Sequence, residues 1–205
     1  MIKNFIFDIG DVLVSYSSTL YAANHGISAD KLEKANQILI KENMWRKYLN
    51  GLAKVNKLLD YLIKSYPNYT EEFKILLERK YQSELFFLIE ENVKLLKQLK
   101  EQGHAIYLLS NITKETLEVI NENYDFVKWV DGGVFSYQEH ISKPNKEIYT
   151  TLLSRYSLIP KETIFIDDRK KNVEVANELG MIGIQYEKGK RFKQEIQDEL
   201  EKNKK

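Results

Sequence analysis

The chain contains no cysteine and only three histidines. The first absence excludes disulfides, thiolate nucleophiles and thiolate metal sites together, and the second leaves little material for an imidazole-bound zinc ion. A surplus of one charge sign is also lacking: 31 Lys and Arg face 30 Asp and Glu, for a formal net charge of +1. Lysines are mixed with glutamates along the whole length, so no basic stripe marks a nucleic-acid partner. No stretch is long and apolar enough to span a bilayer. The apolar start Met1–Phe5 is soon interrupted by Asp8 and Asp11, with no small-residue cleavage site, so a signal segment is not expected. These absences lead to the expectation of a cytoplasmic protein with no membrane partner. They do not select between a monomer and a homodimer.

What is present is a chain of 205 residues, 43% hydrophobic and 30% charged, long enough for a core and a second module. Phe5-Ile6-Phe7 reads as a buried strand that runs into Asp8, Gly10 and Asp11 before turning apolar again through Val14. After Val14 helical periodicity is expected for about seventy residues. Its stripes are Leu32, Ala35 and Leu39, then Leu52, Val55, Leu59 and Leu62, then Phe73, Leu77 and Tyr81. Breaks fall at His25-Gly26, with Ser28 as the next cap, at Asn50-Gly51, and at Tyr66-Pro67.

From Glu90 the pattern alternates. Leu95, Leu96 and Leu99 lie on a helix closed by Gly103, and Ala105–Leu109 is a buried strand ending at Ser110-Asn111. A helix follows from Thr113, and Val134-Phe135 reads as a short third strand. Pro144 is expected in the first turn of a helix bearing Ile148, Leu152 and Tyr156. Thr163–Ile166 is a further buried strand stopping at Asp167-Asp168, and Met181–Gln185 is the last. Phe192, Ile196 and Leu200 read as an amphipathic tail helix fraying into solvent. The fold class predicted is α/β: a Rossmann-like parallel sheet with helices on both faces, formed by 1–14 and 91–205, with an inserted all-helical cap domain at 15–90.

In a parallel sheet the carboxyl ends of the strands share one edge, so Asp8, Asp11, Ser110, Asn111, Asp167 and Asp168 meet in one crevice, with Lys143 before a helix at the same edge. Carboxylates facing one another require a cation, and oxygen donors without cysteine or a histidine cluster favour Mg²⁺, which in turn prefers phosphate oxygens as further ligands. The residues alone therefore point to a Mg²⁺ and phosphate site.

Asp8-Ile9-Gly10-Asp11-Val12, Leu109-Ser110-Asn111, Ser142-Lys143-Pro144 and Ile166-Asp167-Asp168, in this order, resemble the four motifs of the haloacid dehalogenase-like hydrolase superfamily. The helical stretch after the first motif is similar to the cap of its helical-cap branch. This resemblance implies a Mg²⁺-dependent hydrolase of phosphomonoesters acting on a small phosphorylated metabolite through an aspartyl-phosphate. Asp8 would be the nucleophile and a metal ligand, with the Gly10 carbonyl, Asp168 and Asp167 as further ligands and Asn172 in support. Ser110, the Asn111 backbone N–H and Lys143 would hold the phosphoryl oxygens, and Lys143 would stabilise charge in the transition state.

Gly10 stands where most phosphatases of this superfamily have an acid–base aspartate. Asp-x-Gly-x-Val is similar to the first motif of sugar-phosphate phosphatases of the glucose-1-phosphate phosphatase type, which makes a sugar phosphate the expected substrate. Asp11, a cap residue or water would then move the proton. Gly10 also keeps two alternatives open, a metal-independent 2-haloacid dehalogenase and a non-catalytic phosphate-binding protein. The acidic pair Asp167-Asp168 favours the metal-dependent enzyme. Tyr16, His25, Trp45 and Arg46 are cap residues able to meet a substrate, whereas His104 and His140 are expected to be structural or exposed.

Overall fold

The computed structural model describes residues 1–189 and 192–203, so the expected core end at 205 lies outside the described residues. Strand β1 (Asn4–Phe7) leads through a tight loop into β2 (Val14–Tyr16). Six helices follow: α1 (Ser18–His25), α2 (Ala29–Lys41), α3 (Asn43–Leu49), α4 (Val55–Ser65), α5 (Thr70–Leu77) and α6 (Arg79–Gln82). Then come β3 (Phe86–Leu88), α7 (Glu90–Glu101), β4 (Ala105–Ser110), α8 (Lys114–Asn123) and β5 (Gly132–Phe135). The chain continues through α9 (Ser136–Glu139), α10 (Lys146–Arg155), β6 (Thr163–Asp167), α11 (Lys170–Glu178), β7 (Ile182–Gln185) and α12 (Phe192–Lys202).

The main sheet has the order β5-β4-β1-β6-β7, and every pair in it is parallel. Alternate side chains of the strands enter opposite layers. Phe5, Phe7, Leu108 and Ile166 pack with Leu96 and Leu99 of α7, while Ile6, Leu109 and Phe165 pack with Ile148, Tyr149 and Leu152 of α10. Helices therefore cover both faces, as the alternation predicts.

Strand β1 is central, and Phe7 pairs with Leu108 on one side and Ile166 on the other. The chain builds outward from β1 through β4 to β5, then returns across the sheet to β6. The crevice between the ends of β1 and β6 is the switch point at which open α/β sheets bind ligands.

The helices between β2 and β3 enclose a separate hydrophobic cluster that includes Leu32, Leu58, Leu62 and Phe73. Helical pattern was expected directly after Val14, but Val14–Tyr16 instead pairs antiparallel with Phe86–Leu88 in a two-stranded ribbon where the chain leaves and re-enters the core. Three-residue strands carry too short an alternation to register as a period. The second predicted stripe is rotated. Leu58 and Leu62 are buried, whereas Leu52 is 60% exposed and lies in the turn before α4.

Ser28 caps α2 as expected, accepting from the Lys31 N–H, and Gly26 closes α1 in the left-handed region. At Gly51 (φ 67°) a Cβ would lie 2.3 Å from the Tyr137 carbonyl oxygen, so only glycine lets this turn approach the core so closely. Beside it Ser136 Oγ donates to the Leu49 carbonyl, and Ser142 Oγ donates to Asn50 Oδ1.

Three further expectations are corrected. Pro144 is not in the first helical turn: Asn145 is the N-cap of α10, so Pro144 belongs to the loop that carries Lys143. The third strand is longer than Val134-Phe135, because Gly132 and Gly133 belong to it. They lack the apolar signal because the Tyr156 ring lies where a Cβ on Gly132 would be, while its hydroxyl bonds both backbone groups of Gly133. The tail helix does not fray at its start: Phe192 and Ile196 are buried against the main core, each contributing about 1.5–3 kcal/mol by burial.

Candidate active site

The loop after β1 is folded back on itself. The Ile9 carbonyl accepts from the N–H groups of Val12, Leu13 and Val14, and the Asp11 N–H donates to the Val14 carbonyl. Asn92 of α7 donates to the Val12 carbonyl at 2.7 Å. Asp11 takes a positive φ of 54°, a conformation aspartate adopts more readily than most residues. Asp8 thereby stands directly at the end of β1, level with the end of β6.

Lys143 binds this sheet edge together. Its ammonium is 3.0 Å from Asp8 Oδ1 and 2.6 Å from Asp167 Oδ2, and it donates to the Leu109 carbonyl at 2.6 Å. Only 4% of Lys143 is exposed. Its backbone is clamped by Asn111, whose Oδ1 accepts from the Lys143 N–H at 2.8 Å and whose Nδ2 donates to the Lys143 carbonyl at 2.9 Å. The ends of β1, β4 and β6 are thus tied by one side chain from a loop.

Asp167 is fully buried and fully engaged. Its Oδ1 accepts from Asn172 Nδ2 and the Arg169 N–H, and its Oδ2 accepts from Lys143 and Asn172. Asn172 is held in turn from the α10 side, where the Tyr149 hydroxyl donates to its carbonyl. Asp168 differs: it is half-buried, and the bond at 3.0 Å from Gln185 goes to its backbone carbonyl, not its carboxylate.

Carboxylate oxygens of Asp8, Asp167 and Asp168 all lie within 4.8 Å of one another. Burial, with Asp167 close by, pushes the Asp8 carboxyl up to about 6 against the opposing pull of Lys143 and a Ser110 hydrogen bond. Asp168 is also raised, first by burial and then by the charges of Asp167 and Asp11. Three carboxylates against one ammonium leave an excess of negative charge at a site made of oxygen donors, which fits a small hard dication. Since Asp167 is already saturated by donors, Asp8 and Asp168 present the free oxygens.

The remaining predicted residues divide clearly. Ser110 is buried against Asp8, and Gly10 is exposed on the loop. Asp11 is exposed and close enough to Asp168 to add to its raised pKa. Tyr16 and Trp45 line a cavity of about 250 Å³ between the helical insert and the core, whose lining includes Asn111. His25 and Arg46 do not line it: His25 pairs with Glu84 at 2.7 Å on the surface, and Arg46 is exposed. His104 packs edge-on to Phe5, and His140 bonds the Asn50 carbonyl. Gln82 also lines the cavity, from the four-residue helix α6, and nothing in its neighbours' sequence pattern marks it. Among the described residues no helix is long and apolar enough to cross a membrane.

A family model described as haloacid dehalogenase-like hydrolase matches residues 2–180. The D-ribitol-5-phosphate phosphatase of Bacteroides thetaiotaomicron is 25% identical over 209 residues, covering 96% of this chain and 97% of that protein. The sesquiterpene phosphatase astK of Aspergillus oryzae is 36% identical over 90 residues, 44% of this chain and 46% of its own length, so that match spans about half of the relative. The HAD family enzyme BT-2542 of Bacteroides thetaiotaomicron, as an aspartate-to-alanine mutant with magnesium and inorganic phosphate, superposes with a TM-score of 0.74 at 22% identity, covering 93% of this chain and 96% of that one.

Proposed function

The chain belongs to the haloacid dehalogenase-like hydrolases, and on that premise we propose that it is a Mg²⁺-dependent phosphomonoester hydrolase acting on a small phosphorylated metabolite. The observation that carries this reading is the convergence of Asp8, Asp167 and Asp168 around the Lys143 ammonium. Relatives named as phosphatases, one along nearly the whole chain, support it.

In this reading Asp8, in its ionised form, attacks phosphorus. A P–O bond forms to its carboxylate, the ester P–O bond breaks, and the departing alcohol oxygen takes a proton. Water then attacks the aspartyl-phosphate, releasing inorganic phosphate and restoring the carboxylate. Lys143, held rigid by Asn111 and Asp167, and the Ser110 hydroxyl stabilise the phosphoryl oxygens, an arrangement that needs no reorganisation as charge develops. Asp8, the Gly10 carbonyl and Asp168 would hold Mg²⁺, which would neutralise phosphoryl charge; Asp167 anchors Lys143 and the start of α11. Asp11 is the residue of the first motif that transfers the proton. The other acid of the last motif, Asp168, is retained here, which favours this reading over a metal-independent dehalogenase.

The division into a core of 1–14 and 91–205 and a cap of 15–90 belongs to the same reading, supported by the separate hydrophobic clusters and by the ribbon β2–β3 as their join. The relatives' names point to two different kinds of alcohol, a polyol phosphate and a sesquiterpene, and do not choose between them. The test is a phosphomonoester panel run with Mg²⁺ and with chelator, using Asp8→Asn as control. Turnover that survives either the chelator or the substitution would overturn the mechanism.

A further inference from the structure

The cavity lined by Tyr16, Trp45 and Asn111 is walled mainly by carbon. Leu39, Ile40, Trp45, Leu76, Phe86 and Ile112 are among the residues that line it. Among the described residues no charged side chain lines it. It sits one residue from Ser110, and Asn111 joins it to the loop of Lys143, whose ammonium touches Asp8. Asp8, Ser110, Lys143 and Asp168 do not themselves line it, and Asn111 is the link through which the alcohol portion of a phosphate ester held at Asp8 would reach it.

Polar side chains interrupt the apolar wall: Asn36, Tyr48, Asn111, Thr113 and Thr116 line it beside Tyr16 and Gln82, and Tyr48, Asn111, Thr113 and Thr116 are already hydrogen-bonded within the protein. The Tyr16 hydroxyl and Gln82 Oε1 are buried, and among the described residues neither has a well-formed hydrogen-bond partner; the other end of the Gln82 amide reaches the Leu77 carbonyl only at 3.5 Å. Burying such atoms without partners is costly, and buried polar groups in folded proteins are otherwise nearly always paired. Both residues line the cavity.

We propose that the leaving group of the substrate is a mainly hydrocarbon alcohol carrying one further hydrogen-bond donor, which Tyr16 and Gln82 receive. This rests on the phosphatase reading above and narrows it. A sugar would bring several hydroxyls into a mainly apolar wall where the Asn111 and Thr113 side chains are already bonded to protein, each unmatched hydroxyl losing its water. An apolar ring or chain of the same size loses nothing on entry and gains by burial. The sugar-phosphate expectation drawn from the first motif is the opposing outcome.

The experiment compares cyclohexylmethyl phosphate with glucose 6-phosphate, two primary-alcohol esters of similar size that differ in hydroxyls, alongside 4-(hydroxymethyl)cyclohexylmethyl phosphate. With Mg²⁺, kcat/KM for the hydrocarbon ester should exceed that for glucose 6-phosphate at least about 10-fold. The hydroxymethyl ester should be better still, an advantage that Gln82→Leu abolishes. Gln82→Leu should also raise Tm in the absence of any ligand, since it removes an unpartnered buried group. Equal rates, or a preference for the sugar ester, would overturn the inference while leaving the phosphatase reading in place. If no phosphate ester is turned over, that reading fails separately, and the cavity is then read by binding. In a Trp129→Phe background Trp45 fluorescence should respond to cyclohexanemethanol and not to glucose, and a response to neither would overturn the inference as well.

Discussion

Lys143 Nζ stands 3.0 Å from Asp8 Oδ1, and the same ammonium reaches Asp167 at 2.6 Å. One buried cation thus serves two carboxylates at the ends of neighbouring strands. Removing one member of such a set leaves uncompensated buried charge, which is far more costly than the pair is stabilising.

Lys143→Met should therefore destabilise the fold by about 3–5 kcal/mol, measured by urea denaturation in chelator. Added Mg²⁺ should recover part of the loss, because it supplies positive charge at the same carboxylates. Unchanged stability in chelator would mean that the ammonium is not holding the strand ends together.

Asp8→Asn should lower turnover by about 10⁴-fold or more while leaving the circular dichroism spectrum unchanged. Lys143 retains Asp167 and the Leu109 carbonyl as partners in that variant. Its Mg²⁺ affinity should fall as well, read by isothermal titration calorimetry.

The pH dependence follows from the raised Asp8 carboxyl. An unfolded aspartate titrates near 3.9, whereas Asp8 in the metal-free fold titrates at about 6. Between these values the folded state holds a proton that the unfolded state has lost, so this group's contribution to stability declines as pH rises through that window. Mg²⁺ must displace the proton, so the Mg²⁺-induced rise in Tm should be large at pH 7.5 and small at pH 5. An equal rise at both values would contradict the coupling.

Asp11 and Gly10 can be separated by substitution. Asp11→Asn keeps a residue that tolerates the positive φ, and it should reduce turnover of alkyl phosphates much more than that of p-nitrophenyl phosphate, whose leaving group needs no proton. A Cβ at Gly10 meets no atom within 4 Å, and its φ is not positive, so Gly10→Asp should change stability by no more than about 0.5 kcal/mol. In the Asp11→Asn background it should restore alkyl phosphate turnover toward the parent rate.

Ile196→Ala should cost about 2–5 kcal/mol by leaving a cavity against the main core. The tail helix would then prove integral to the core, and a loss below about 0.5 kcal/mol would contradict its packing.

The chain alone made legible the strands that begin and organise the sheet and the residues at their ends, because buried runs stopping at Asp8, Ser110 and Asp167-Asp168 are local signals of charge against apolar pattern. It also determined the oxygen-only character of the site, since composition removes the sulfur and most imidazole donors. How those residues share the work is set by long-range packing. Asp167 and Asp168 are neighbours in one motif, yet the fold saturates the first with Lys143, Asn172 and the Arg169 N–H and leaves the second free. The ribbon β2–β3, the docking of Phe192 and the cavity reached by Gln82 were likewise invisible in the chain. Each is a long-range pairing of surfaces whose local patterns are too short or too ordinary to mark them, and packing alone brings them together.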